Sequence, residues 1–369
     1  MSIEEPFPHP LYKYCKESEA DALAYAFINK SEMIKFPFKF PPILPLEIRA
    51  NVLYTGLCQS DIMTVRGKWG EPIFPKAPGH EIICEVCELG SEVKDFKKGE
   101  IVAFGTMRDS CGKCNVCKLG HEEICCNVEE KGTYSKIHFG GYATQIQQPA
   151  NFFFHLPSNF NIEKGAPLLC AGITTYYPMS KYLKEGMKCA VIGIGGLGHV
   201  ALLFLKKLGY DVTAFTSSEN KVSLIKEKLG VNNIIISSDK NMMKNAEKKF
   251  DFIINTLPIV DNINDYIKCL NCLGVFIQVG EPSIYNDIMG ISAGEIVEKE
   301  LTIRGSNIGP RNVINDMLKI CAEKDIYPIV EMFDFEDFPK AFDKLENGKP
   351  CFRCVVNVKD FAEKNGWKR

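Results

Sequence analysis

Between residue 170 and about residue 306, short apolar runs alternate with stretches whose apolar positions recur at helical spacing. The runs 189–192, 212–215, 233–236, 252–255 and 274–279 predict buried strands, and 200–208 and 221–229 predict helices between them. Strand and helix in alternation make a parallel, doubly wound sheet, so this region is an α/β domain. Residues 37–157 read differently. Gly and Pro punctuate short apolar runs such as 82–86 and 101–104, a pattern that predicts an irregular, strand-rich β domain. Beyond residue 308 a helix at 313–323 and a strand at 354–358 follow. The Lys-, Asn- and Met-rich stretch 240–249 predicts a solvated helix or loop. The expected organisation is therefore residues 1–170 with 309–369 as one domain and 171–308 as the doubly wound one.

Composition narrows the function classes. With 369 residues the chain can bury two cores, and 46% hydrophobic against 24% charged residues is ordinary for a globular protein. Lys and Arg number 44 against 46 Asp and Glu, a balance that argues against a nucleic-acid partner. No apolar run reaches membrane-spanning length, and the opening MSIEEPFPHP lacks the basic-then-apolar order of a secretory signal. A cytoplasmic location is the expectation. In that reducing setting the 16 cysteines predict metal sites or plain burial rather than disulfides.

The first βα turn of the alternating region reads Gly193-Ile194-Gly195-Gly196-Leu197-Gly198. Gly193 suits a tight turn, Gly195 lets backbone approach a pyrophosphate, and Gly198 lets helix pack on strand. The helix that follows offers free N–H groups and a positive dipole end to phosphates. After the second strand, where an NAD site places a carboxylate, stand Ser217 and Ser218, with Lys221 close by. Small hydroxyls and a lysine suit a 2′-phosphate, so NADP(H) is the expected dinucleotide, with Glu219 as the residue able to favour the bare ribose.

The cysteines sort into two candidate metal sets. Cys111, Cys114, Cys117 and Cys125 sit at gaps that wrap a chain around one tetrahedral zinc, a closed structural site. Cys58, His80 and Cys170 are scattered, and two cysteines with one histidine match a catalytic zinc with an open position. Spacing alone leaves that second set unproven, since a lone histidine is more often structural. Glu81 follows His80 as a transient further ligand. Ser60 is placed to exchange a proton with the reacting oxygen, and Asp61 to orient His80. Cys84 and Cys87 fall on opposite faces of one strand and are no metal pair.

These motifs together resemble the zinc-containing medium-chain dehydrogenase/reductase family, in its cinnamyl alcohol dehydrogenase branch. The matching text is Gly56-Leu57-Cys58-Gln59-Ser60-Asp61-Ile62, Gly79-His80-Glu81, the cysteine loop, Gly140-Gly141-Tyr142-Ala143, Leu168 to Thr174, Gly193 to Gly198, Val279-Gly280 and Gly305 to Gly309. The resemblance implies a GroES-like catalytic domain, a Rossmann domain and a homodimer joined through the Rossmann sheets. It implies two zinc ions per chain, the catalytic one on Cys58, His80, Glu81 and Cys170. It also implies a cofactor site lined by Thr174, Val279, Ser306 and Ile308. The activity it implies is an NADP(H)-dependent alcohol dehydrogenase or aldehyde reductase, with aromatic or medium-chain aliphatic aldehydes and primary alcohols as substrates. An NAD-dependent polyol dehydrogenase and a non-catalytic, zinc-stabilised NADPH-binding protein are the rival readings. Gln59 and Met63 stand where the family often has histidines, so the outer proton path departs from it. No pocket aromatic is evident at 128–131, and the first 35 residues have no counterpart in the family pattern.

Overall fold

The structure, a computed structural model, describes residues 7–129, 131–260, 262–282, 289–348 and 350–367. The first six residues of the polar opening thus lie outside it. The chain forms two compact units, Met1–Cys170 with Pro310–Ala322 and Ile329–Arg369, and Ala171–Gly309 with Glu323–Pro328. Among the described residues no helix is long and apolar enough to cross a membrane.

The first unit is built on a seven-stranded sheet around the long strand Glu47–Leu57. That strand pairs antiparallel with Ile82–Leu89 on one side, with Arg353–Asn357 on the other, and with Gln145–Pro149 over its first half. The consequence is local. Cys58 leaves the end of one strand, Glu81 enters the start of its neighbour, and Arg353 opens the third. The Gly56 N–H bonds the Glu81 carbonyl at 2.8 Å, and Cys354 pairs with Leu57 in register.

An additional three-stranded antiparallel sheet, Lys13–Tyr14, Met33–Lys39 and Ala22–Phe27, occupies the opening segment for which the sequence offered no element. Its second strand in the chain is buried at every position, so it lacks the alternation that marks a half-buried strand. Its aromatic core packs Tyr12, Phe36 and Phe38 against Phe139, a partner about a hundred residues away.

The second unit is a six-stranded parallel sheet. Numbering its strands by chain order, they lie 3-2-1-4-5-6: Asn233–Ile236, Asp211–Thr216, Lys188–Ile192, Phe250–Asn255, Leu270–Gln278 and Thr302–Gly305. This is the doubly wound order whose strand reversal opens a crevice at the carboxyl ends. Ala190, Ile192, Phe215, Ile253 and Phe276 form the core on one face. Two details differ from expectation. The segment 221–229 is not one α-helix: a 3₁₀ turn (Glu219–Lys221) and a short α turn (Val222–Leu224) lead into a π turn (Ile225–Leu229) that ends on left-handed Gly230. The fifth strand starts four residues early and carries an irregularity at Leu273, whose φ is 63°. Residues 240–245 form a helix, one of the two forms expected of that stretch, capped by the Asp239 carboxylate.

Candidate metal and dinucleotide sites

Cys58, His80, Glu81 and Cys170 converge: one ligand atom from each lies within 4.8 Å of all the others, and all four residues are buried. Cys170 arrives from the 3₁₀ turn Ala166–Leu169 and sets its sulfur 3.9 Å from that of Cys58. Two sulfurs each 2.3 Å from a tetrahedral zinc stand roughly 3.8 Å apart, so the spacing fits the ion. Contact with Cys170, helped by His80 and opposed by burial, holds the Cys58 thiol well below its ordinary range. Glu81 is ion-paired with buried Arg353 through Oε1, while Oε2 is buried without a hydrogen-bond partner. Burial pushes this carboxyl up to about 7 against the pull of Arg353. An orphaned carboxylate oxygen beside two sulfurs and an imidazole is a donor set that a divalent cation completes. Gly56 makes the room, since a Cβ there would stand 2.0 Å from Glu81 Oε2.

Asp61 organises this cluster. Its Oδ2 accepts the Cys58 N–H at 3.0 Å and the Tyr142 hydroxyl at 2.5 Å; its Oδ1 accepts the Gly79 N–H at 3.1 Å and lies 3.0 Å from His80 Nδ1. A carboxylate accepts, so Nδ1 carries the proton and Nε2 is left to bind a metal. Burial works against protonation of His80, but the charge and hydrogen bond of Asp61 raise the imidazole well above its ordinary value. Glycines let the two supporting loops meet. Gly79 has φ 105°, and a Cβ on Gly140 would lie 2.1 Å from the Gly79 carbonyl. Backbone bonds from Gly140, Gly141 and Tyr142 to Ala77, Gly79 and Pro78 lock them together. Ser60, in the first turn of the helix Gln59–Val65, holds its hydroxyl 3.6 Å from the Cys58 sulfur.

Cys111, Cys114, Cys117 and Cys125 form a second group within the same 4.8 Å limit. Cys111–Cys117 and Cys114–Cys125 sulfurs are 3.9 Å apart, the same tetrahedral spacing, and all 16 cysteines are free. N–H groups of Lys113 and Cys114 aim at the Cys111 sulfur and draw its thiol down to about 6. Cys126 is exposed, its thiol turned to the Ile124 carbonyl instead.

In the second unit the glycine loop has the shape its spacing predicts. Gly193 has φ 81°, and a Cβ on Gly198 would sit 1.9 Å from the Gly193 carbonyl oxygen. At Gly195 a Cβ would meet nothing within 4 Å, so the loop is open on that side. Gly196 and Leu197 lead into the helix Gly198–Lys207, which no side chain caps. His199 is buried there, its Nδ1 3.0 Å from the Gly195 carbonyl. Exposed Ser217 and half-buried Ser218 follow the second strand, and the Lys221 ammonium bonds the Ile194 carbonyl of the glycine loop at 3.2 Å. Val279, Ser306 and Ile308 follow the carboxyl ends of the fifth and sixth strands, and Thr174 is buried in the helix Ala171–Tyr182.

Comparison with known proteins matches residues 45–158 to the alcohol dehydrogenase GroES-like domain and residues 196–323 to the zinc-binding dehydrogenase domain. An NADP-dependent alcohol dehydrogenase of Mycolicibacterium smegmatis is 33% identical over 343 residues, covering 91% of this chain and 97% of its own. The chain belongs to the zinc-containing medium-chain dehydrogenase/reductase superfamily, in its cinnamyl-alcohol-dehydrogenase-like branch. A probable cinnamyl alcohol dehydrogenase of Pinus taeda is 30% identical over 352 residues, 93% of this chain and 97% of its own. The solved structure of CAD from Helicobacter pylori, complexed with NADP(H), superposes with a TM-score of 0.82 at 31% identity, covering 92% and 98% of the two chains. As a member of this superfamily the chain is an oxidoreductase of the alcohol dehydrogenase type.

The roles of two residues at this dehydrogenase's Cys58 site escaped the sequence reading. Arg353 sits in the apolar run Phe352–Val356, where a charge must be buried and therefore partnered; that was the available signal. Tyr142 stood in the matching text Gly140-Gly141-Tyr142-Ala143, but nothing in that motif pointed to a bond with Asp61. Tyr134, whose ring lies 5.6 Å from that of His80, adds an aromatic just beyond the stretch 128–131 where none was evident.

Proposed function

We propose that the chain is an NADP(H)-dependent zinc alcohol dehydrogenase that interconverts aldehydes, aromatic or medium-chain aliphatic, with primary alcohols. The observation that carries the reading is the convergence of Cys58, His80, Glu81 and Cys170, with the Ser60 hydroxyl beside them. Zinc held by these donors supplies Lewis acidity to the substrate oxygen, and NADP(H) supplies or accepts the hydride. The chain's own residues do the rest. Asp61 fixes Cys58 and His80, Arg353 balances the Glu81 charge, and Ser60 exchanges a proton with the substrate hydroxyl. Cys111, Cys114, Cys117 and Cys125 hold a second, structural zinc, giving two per chain.

Ser217, Ser218 and Lys221 support NADP(H), because no carboxylate immediately follows the second strand to repel a 2′-phosphate. In this reading the pyrophosphate rests on Gly193 to Gly198, and Thr174, Val279, Ser306 and Ile308 complete the cofactor site. A homodimer is supported by the edge strand Thr302–Gly305 and the exposed apolar Leu273 and Val297 on neighbouring segments. Free cysteines throughout suit a reducing compartment such as the cytoplasm.

The test is kcat/KM for an aldehyde panel with NADPH and with NADH, alongside zinc analysis. Turnover favouring NADPH by at least about tenfold, about 1.4 kcal/mol of discrimination, and a Ser217→Asp variant shifted toward NADH are the expected results. NADH preference with polyols, or tight NADPH binding without turnover, would overturn the reading.

A further inference from the structure

We propose that Tyr142 is a positioning residue for the Cys58–His80 donor pair, acting through Asp61; the inference rests on zinc occupying that pair. Four of the hydrogen bonds to Asp61 divide evenly between its two oxygens, and the buried Tyr134 hydroxyl lies beside the same carboxylate. One oxygen takes the Gly79 N–H and His80, the other takes the Cys58 N–H and the Tyr142 hydroxyl. With two donors on each oxygen, the carboxylate cannot rotate without breaking a bond. The Tyr142 bond, at 2.5 Å, is the shortest of the four, and both partners are fully buried. Three of the donors are ligand residues or the backbone beside them. The phenol is the exception: it comes from a separate loop and ties the carboxylate to the rest of the unit.

That loop is itself pinned. Tyr142 N–H bonds the Pro78 carbonyl at 3.0 Å, and its ring meets Phe338 edge-on with centroids 4.6 Å apart. The tyrosine therefore has a fixed backbone, a fixed ring and one polar atom aimed at the carboxylate that orients His80. Removing that atom takes the shortest of these bonds from Asp61 Oδ2, so the carboxylate gains freedom to tilt. Tilt of Asp61 moves the His80 ring and the Cys58 backbone together. Partners that orient metal ligands are worth about 10–100-fold in affinity when they touch the ligand directly. One bond further out, the expected effect is about three- to tenfold.

Tyr142→Phe keeps the ring against Phe338, and the Cys111 cluster serves as an internal reference for folding. Zinc release to a chromophoric chelator should show faster loss from the Cys58 site by about three- to tenfold, with release from the Cys111 site unchanged. Combining Tyr142→Phe with Asp61→Asn should give less than the product of the separate effects, because the phenol acts through that carboxylate. Wild-type release from Tyr142→Phe, or fully multiplicative effects in the double variant, would overturn the proposal. Wild-type protein holding zinc at the Cys111 cluster and none at Cys58 would overturn the functional reading first, and this inference with it.

Discussion

Two alanine substitutions, at Gly195 and at Gly198, separate the two jobs of the glycine loop. At Gly198 the new Cβ lies 1.9 Å from the Gly193 carbonyl oxygen and 2.9 Å from its carbon, about 1.5 Å short of ordinary contact. The obstacle is backbone and cannot swing aside. Overpacking costs about 1–3 kcal/mol, with backbone obstacles at the upper end, enough to lower the melting temperature by about 5–10 °C. At Gly195 the Cβ meets nothing within 4 Å. The fold should tolerate it, and the stiffer unfolded chain should offset any loss by about 0.4–1 kcal/mol. In the dinucleotide reading, however, that open side is where the pyrophosphate approaches, so NADPH affinity should fall by about 10–100-fold. The assay is thermal unfolding without cofactor, paired with NADPH fluorescence titration. Gly195→Ala should unfold at or above the wild-type temperature yet bind weakly, whereas Gly198→Ala should fail on both counts. Wild-type NADPH affinity in Gly195→Ala would refute the reasoning about the open side. A wild-type melting temperature in Gly198→Ala would refute the packing argument.

Acid should loosen the first unit through two histidines. Burial, with Lys76, lowers His9 to about 4; burial, with Arg108, lowers His138 to about 3. The folded state holds both neutral while the unfolded state binds protons below about 6.5, so their contribution is intact above that pH and is lost as pH falls toward 4. Denaturant midpoints measured from pH 7 to 4 should drop less steeply in His138→Leu than in wild type, and parallel curves would count against the assignment. Gly56→Ala should disturb the Cys58 site without removing a ligand atom, since its Cβ would stand 2.0 Å from Glu81 Oε2 and 3.0 Å from Glu81 Cβ. Metal analysis should then find the Cys58 site depleted and the Cys111 site full; zinc retained equally at both would show that Glu81 moves aside without consequence.

What was legible in the chain was what short-range geometry encodes. The glycine loop, the four cysteines of 111–125 and the alternating strands of the second unit are each encoded locally, and each appears where its spacing places it apart from the early start of the fifth strand. The Cys58 site is different, because its parts meet through sheet register. Cys58 and Cys170 are 112 residues apart, and Glu81 and Arg353 are 272 apart. No periodicity reports that Cys354 lies opposite Leu57, yet that pairing is what sets Arg353 beside Glu81. The same holds for the opening sheet, whose aromatic residues find Phe139 only in the folded chain. A buried charge is the exception that sequence can flag. Arg353 within an apolar strand demands a buried anion, because an unpaired one would cost several kcal/mol. Glu81, next to a histidine in a Pro-Gly turn and followed by the apolar strand Ile82–Leu89, poses the same demand from the other side. Each residue announces a missing partner, and the only remaining question is whether the strands between them align; the register through Leu57 shows that they do.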